Sequence, residues 1–390
     1  MIILTADRLV IRPGIGETID DGAVCVDAGR IVWTGRVADL PHQTDAEVVR
    51  LGRKTLFPGL MDAHVHLAFD GSSDPVSTLL GHDEAALLEL MRRSAADLVE
   101  SGVTTARDLG APGVTSLTVR DEIAAGRLSG PRLMVAGEPL TSVNGHCWFM
   151  SQQVSTSDDV ARAVDESVEL GVDVIKLMVT GGRMTPGTDP LKVEMAPDIV
   201  HASVLRAHDA GLTVAAHCLS AVGVDAAVGA GVDTIEHGTF IDASGGDGFS
   251  ESLARKFVTN RVALSPTAGV ERSHPTPLSL RGKWIRKTHE LGVQILAGTD
   301  SGIPGRQHAG GFLAGLECLL AAGMSMNSVL ASATEEGMVA MGAQGVGALR
   351  VGYAADILAL DSDPYSDLHA FSKIPFVMAA GHIVRHDQFA

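Results

Sequence analysis

Between residues 59 and 298, short apolar runs alternate with longer amphipathic stretches, and few folds can accommodate that alternation. The apolar runs read as strands at Gly59–His66, Thr104–Asp108, Arg132–Gly137, Val172–Met178, Thr213–His217, Thr234–His237, Arg261–Ser265 and Val293–Gly298. Helical periodicity occupies Asp83–Glu100, Ser157–Leu170, Pro197–Ala210, Ser220–Ala230, Ser250–Asn260 and Leu278–Leu291, then Gly310–Ala322 and Met326–Met341. Strand–helix repeats build parallel βαβ units, and eight of them close into a (β/α)8 TIM barrel, an α/β fold. The two chain ends have another character. Ile2–Leu4, Arg8–Ile11, Ala23–Asp27 and Arg30–Thr34 at one end, and Ala355–Leu360 and Val377–Arg385 at the other, are strand-like runs bounded by Gly and Asp turns. Neither end can bury a core alone. Residues 1–57 and 345–390 are therefore expected to meet in one small β-sandwich domain beside a barrel spanning 58–344. A length of 390 residues suits a large barrel with such a satellite.

Composition narrows the partners. Apolar residues at 45% and charged residues at 20% fit a folded chain with a large core. The formal net charge of −17 repels phosphate backbones and anionic lipid heads, so a small-molecule substrate is expected, with no nucleic acid and no membrane. No segment has the apolar length of a membrane span. The opening MIILTADRLV has no basic leader followed by a long apolar stretch and a cleavage site, which gives a cytoplasmic expectation. The four cysteines are widely spread without a CxxC pair, against both a disulfide framework and a Cys-rich zinc site. The Gly/Pro-rich stretch 180–190 lacks the GK[ST] of a phosphate-binding loop.

The chemistry concentrates at strand ends. In Asp62-Ala63-His64-Val65-His66, the two histidines are two apart on a strand and so point to one face. That face opens on the C-terminal mouth, where barrel enzymes keep their sites, and two imidazoles there make half of a metal site. Lys176 interrupts an otherwise apolar strand. A bare ammonium in that setting must be neutralised, paired or modified. His217 and His237 end the next two strands, and Asp300 follows the eighth. Each is ordinary alone; the set offers a ligand to one mouth from five different strands.

The order HisXHis, Lys, His, His, Asp resembles the amidohydrolase superfamily in its two-metal form. The likeness spans nearly the whole chain through GLMDAHVH (59–66), VTTARDLG (103–110), TIEHG (234–238), AGTDS (297–301) and GYAADILAL (352–360). It implies two divalent metal ions, zinc above all, held by His64, His66, His217, His237 and Asp300, and bridged by Lys176 carboxylated with CO2 to a carbamate. It implies attack by a metal-bridging hydroxide, with Asp300 as general base and then acid. Homo-oligomers are compatible with the family.

Within the superfamily, HCLS (217–220) lacks the Glu that deaminases place three residues after the fifth-strand His, and the strand-four Lys is present. Both features favour hydrolysis over deamination. NGHCWFM (144–150) and TGGRMTPGTDP (180–190) resemble the Xaa-Pro dipeptidase and amino-acid amide hydrolase branch, which is imidazolonepropionase-like in sequence. The branch implies cleavage of an amide, dipeptide or N-acyl amino acid. His146 would donate to the substrate carbonyl, Arg183 would pair with a substrate carboxylate, and His308 would line the mouth. Phe240 stands in the pocket position where peptidase-like relatives often have a Tyr donor, which weakens a simple dipeptidase reading. Phenylurea, carbamate, ester or lactone hydrolysis on the same site, mononuclear imidazolone-type ring hydrolysis, and a non-catalytic metal-bearing scaffold remain open at this level. The other histidines, His274 among them, read as loop, helix or β-domain residues.

Overall fold

The computed structural model describes residues 1–42, 45–269 and 278–387. His274 and the last three residues of the expected composite domain lie outside them. The barrel wall runs through β1 (Leu60–Val65), β2 (Val103–Asp108), β3 (Arg132–Val135), β4 (Val174–Met178), β5 (Thr213–Ser220), β6 (Thr234–Ile241) and β7 (Ala263–Ser265). The first three pair in parallel as one sheet, and the other four as a second. Asp173 N donates to Val135 O at 2.9 Å across the seam between them. Two short strands absent from the sequence reading, Leu140–Thr141 and Gln152–Gln153, extend the edge of β4.

The eighth expected strand, Val293–Gly298, closes the barrel without a continuous ladder. It bridges Leu264 through Ile295, and Ser301 bridges Val65. Ala63 N donates to Ala297 O at 2.9 Å and Asp300 N to His64 O at 2.7 Å. A regular strand cannot continue here, because Asp300 has φ 60° and turns the chain into the mouth.

Helices begin and end where local chemistry directs. Asp83 caps Glu84–Glu100 by accepting from Ala86 N. Thr156 and Asp159 form a capping box on Ser157–Leu170, and Gly171 ends that helix at φ 78°. The single helix expected over Met326–Met341 is two, Met326–Ser332 and Glu335–Ala340. The Ser332 and Thr334 hydroxyls donate back to the carbonyls of Val329 and Leu330 and end the first one. Helices Pro75–Gly81 and Thr115–Ala124 add to the expected set. No helix among the described residues is long and apolar enough to cross a membrane.

The chain ends do meet. Ile2–Arg12, Glu17–Asp27, Arg30–Arg36, Glu47–Arg50, Thr55–Pro58, Ile357–Leu360, Phe376–Ala379 and His382–His386 form one eight-stranded sheet. Ile2–Arg12 pairs with Glu47–Arg50 along its first half and with Thr55–Leu56 along its second, so the sheet divides into two arms. Two tight turns, Ala28–Gly29 and Ala380–Gly381, have positive φ throughout and pack back to back. A Cβ on Gly381 would lie 2.5 Å from Gly29 Cα, so both need glycine. Leu4, Leu9, Val24, Ile31, Leu56, Ile357 and Phe376 form a core of their own here, separate from the main barrel core.

Candidate active site

The ends of β1, β4, β5 and β6 and the segment after 298 converge on a pocket of about 290 Å³. His64 and His66 point the same way from β1, with their Nε2 atoms 3.2 Å apart. Asp300 Oδ1 lies 3.3 Å from the first and 3.5 Å from the second. His237 Nδ1 is 3.9 Å from Asp300 Oδ2 and 2.9 Å from Thr267 Oγ1. His217 stacks beside His237 with ring centroids 4.6 Å apart, and its Nε2 meets Gly181 O at 3.2 Å. Ligand atoms of His64, His237 and Asp300 lie within 4.8 Å of one another, the spacing of a candidate metal site.

Burial sets the electrostatics. It pushes the imidazolium forms of His64, His217 and His237 well out of range of neutral pH. His66 falls to about 3 for the same reason, reinforced by the Lys176 charge. Neutral rings of this kind have a lone pair to offer a cation. Lys176, 1% exposed on β4, is itself lowered by burial. No carboxylate among the described residues lies within ion-pairing distance of its Nζ. The backbone is strained around the same pocket: Cys147, His237, Thr267 and Asp300 all have positive φ.

His146 lies against His217, ring centroids 4.7 Å apart, and lines the pocket. Its Nε2 is 3.5 Å from Cys147 Sγ, while its buried Nδ1 has no hydrogen-bond partner. The loop after β4 holds it in place. Glu194 Oε2 accepts from His146 N at 3.0 Å, and Thr185 Oγ1 accepts from Cys147 N at 2.8 Å. Gly182 lies so close that a Cβ there would be 2.2 Å from the His146 ring. Arg183 lines the mouth.

Two expected pocket residues are placed elsewhere. Phe240 is fully buried against Phe249, Phe257 and Trp284, with centroids 5.4, 6.2 and 6.1 Å away, and does not line the pocket. Thr239, two residues past His237, shares the pocket with it, and Phe240, three residues past, faces away. His308 sits behind the site, its Nε2 3.2 Å from His66 O.

Sequence reasoning also missed several groups. Glu236 and Arg107, both within the quoted motifs, are 0% exposed and pair at 2.8 Å behind His64. Asp62 accepts from Thr299 N at 3.0 Å and from Thr299 Oγ1 at 2.5 Å, tying β1 to the segment that carries Asp300. Burial raises its carboxyl to about 7 against these hydrogen bonds. Arg281 and Arg306 form a cationic wall, held by the carbonyls of Pro266, Thr267 and Thr299. A charged residue inside a strand motif was the available signal for Arg107, Glu236 and Asp62. For the two arginines there was none.

A parallel barrel with a histidine-rich mouth defines a class of hydrolase scaffold, and the comparisons specify which. The amidohydrolase family model matches residues 55–384, and the chain belongs to that family. The chain is 26% identical over 402 aligned residues to the ochratoxinase of Aspergillus niger, covering 93% of this chain and 82% of that protein. A crystal structure of a Xaa-Pro dipeptidase with methionine in its active site superposes with TM-score 0.84 at 25% identity, covering 98% of this chain and 99% of that one. The crystal structure of A. niger ochratoxinase superposes with TM-score 0.84 at 23% identity over 99% and 95%, a likeness of fold. The expectation of an amidohydrolase on a TIM-type barrel, a hydrolase acting on carbon–nitrogen bonds, is borne out at that level. The family is generally metal-dependent, and the His/His/Asp cluster supplies a candidate site.

Proposed function

We propose that this chain hydrolyses the amide bond of an N-acyl amino acid or dipeptide, using two divalent cations, zinc by preference. His64, His66, His217, His237 and Asp300 would hold them, with Lys176 as a bridging carbamate. The barrel would then be residues 58–344 and the composite domain 1–57 with 345–390.

One observation carries the reading. His64 Nδ1 is engaged by Glu236 and His66 Nδ1 faces Gly110 O. Both Nε2 lone pairs therefore point, with Asp300 Oδ1, into one space 3.2–3.5 Å across. Two imidazole nitrogens and a carboxylate oxygen converging at that spacing form a donor set for a divalent cation, and imidazole with carboxylate suits zinc. Lys176 fits its part as well: a buried amine whose charge is disfavoured is the nucleophilic form that takes up CO2.

Bound there, divalent cations acidify water and polarise a carbonyl. The chain's own residues supply the rest. Asp300, against both β1 histidines, is placed to take a proton from water and return it to the leaving nitrogen. His146, on the pocket wall, would donate a ring N–H to the substrate carbonyl oxygen. Phe69, Met178, Leu219 and Ile303 would accept an apolar side group, and Arg183, Arg281 and Arg306 would favour a carboxylate.

The test is metal content per chain after expression with zinc and bicarbonate, with native mass to detect CO2 on Lys176, followed by turnover of N-acyl amino acids, dipeptides and phenylureas. Close to two metals, a carboxylated lysine and preference for free carboxylates over the matching carboxamides are expected. Undiminished hydrolysis by metal-free protein would sink the reading.

A further inference from the structure

Behind His64 lies a chain of buried polar groups that joins three barrel strands. Arg107 on β2 donates through Nε to Ala63 O at 2.9 Å, the carbonyl next to His64. Its Nη2 donates to Glu236 Oε1 at 2.8 Å and to Thr234 Oγ1 at 3.2 Å. Thr234 Oγ1 donates to the same carboxylate oxygen at 2.7 Å. Glu236 Oε2 then faces His64 Nδ1 at 2.9 Å. All four side chains are at most 1% exposed. β1 and β6 share no ladder: β6 pairs with β5 on one side and β7 on the other, and β1 pairs with β2. The contact therefore crosses the barrel interior.

We propose that Glu236, clamped by Arg107 and Thr234, is the positioning residue that fixes His64 with its proton on Nδ1 and its Nε2 lone pair in the metal site. An ionised carboxylate is acceptor-only, so the Nδ1 it meets at hydrogen-bond distance must be the donor. That leaves Nε2 as the ligand atom, 3.2 Å from His66 Nε2 and 3.3 Å from Asp300 Oδ1. The second oxygen of Glu236 is saturated by two donors and cannot rotate in to compete. The Arg107 guanidinium, 2.8 Å from Oε1, gives the buried carboxyl its partner in the barrel interior. Arg107 thus grips both the backbone before His64 and the carboxylate that orients its ring. Outer partners of metal-bound imidazoles commonly set tautomer and ring direction in this way, and losing one weakens metal binding about 10- to 100-fold.

The inference rests on His64 being a metal ligand, and the experiment separates the two ideas. Zinc affinity is measured by chelator competition on wild type, Glu236→Gln and Thr234→Val, with near-ultraviolet circular dichroism to establish that each is folded. The Gln variant can present its amide N–H to Nδ1 and reverse the tautomer, so zinc affinity is expected to fall about 10- to 100-fold with the spectrum intact. Thr234→Val removes one of the two donors to Oε1 and should give a smaller loss. Folded Glu236→Gln with wild-type affinity would overturn the proposal while leaving the metal site standing. Wild type that binds no zinc would overturn both. If Glu236→Gln does not fold, wild type decides: zinc-loaded protein carrying 15N-histidine should show His64 protonated at Nδ1 and coordinated through Nε2, and coordination through Nδ1 refutes the proposal.

Discussion

The barrel, at its mouth, and the composite sheet bury their residues in opposite ways. At the C-terminal mouth, imidazoles, a lysine and carboxylates are packed together on strained backbone, and burial disfavours the charged forms of the imidazoles and the lysine. In the composite sheet the buried positions are aliphatic and aromatic, its tightest turns rest on glycine, and its ion pairs, such as Arg8 with Asp363, sit at the margin. The sheet buries what water rejects. The mouth buries what water would solvate, and it needs a ligand to become comfortable. The contrast locates stability in one region and chemistry in the other, and substitutions can be chosen to break it.

Asp300→Asn should have the largest consequence at the mouth. Turnover is expected to drop about 10²- to 10⁴-fold, while the melting temperature of the metal-free protein stays level or rises, because a carboxylate buried among imidazoles is replaced by a neutral amide. A variant that loses stability in step with activity would mean that the mouth is structural after all. In the sheet, Phe376→Ala should do the reverse. The side chain is fully buried, so unfolding by urea should come about 3–5 kcal/mol sooner. Activity per folded molecule should hold, and a changed KM would show that the sheet reaches the site.

Gly182→Ala sharpens the comparison inside the mouth. The added methyl must displace the His146 ring, and kcat/KM should fall roughly 10- to 100-fold with little change in melting. Unchanged kinetics would remove His146 from the mechanism. The smallest effect is expected where the two regions join. Burial alone would raise the Glu335 carboxyl, but the Tyr353 hydroxyl at 2.6 Å and Arg12 at 2.9 Å outweigh it and hold it below its ordinary value. A carboxyl depressed on folding stabilises fully above its unfolded pKa, near 4.5, and that contribution fades as pH falls through the lower folded value. Glu335→Gln should remove about 1 kcal/mol at neutral pH and flatten the acid limb of stability against pH. An acid limb identical to wild type would place the pH dependence elsewhere.

How far the sequence reached differs from residue to residue. His64 and His66 were legible because period-two geometry fixes their common face whatever surrounds them. Lys176 was legible because an ammonium inside an apolar strand has few ways to exist. The eighth strand was legible as a wall segment with Asp300 just past it, where φ 60° turns the chain. Phe240 was expected in the pocket from the resemblance alone; Thr239 faces the site beside His237, and Phe240 packs against Phe249, Phe257 and Trp284.

By itself, the sequence determined the alternation that makes a barrel, the strand ends that face its mouth, and the residue types gathered there, since all three follow from local periodicity and chemistry. Only the tertiary structure decided that Glu236 reaches His64 across the interior, that Arg281 and Arg306 form a wall with Arg183 at the mouth, and that the loops bearing His146 and Gly182 lock together. The physical reason is distance along the chain. Glu236 and His64 are 172 residues apart on strands that share no backbone ladder. Their meeting is set by barrel closure, which no local pattern encodes.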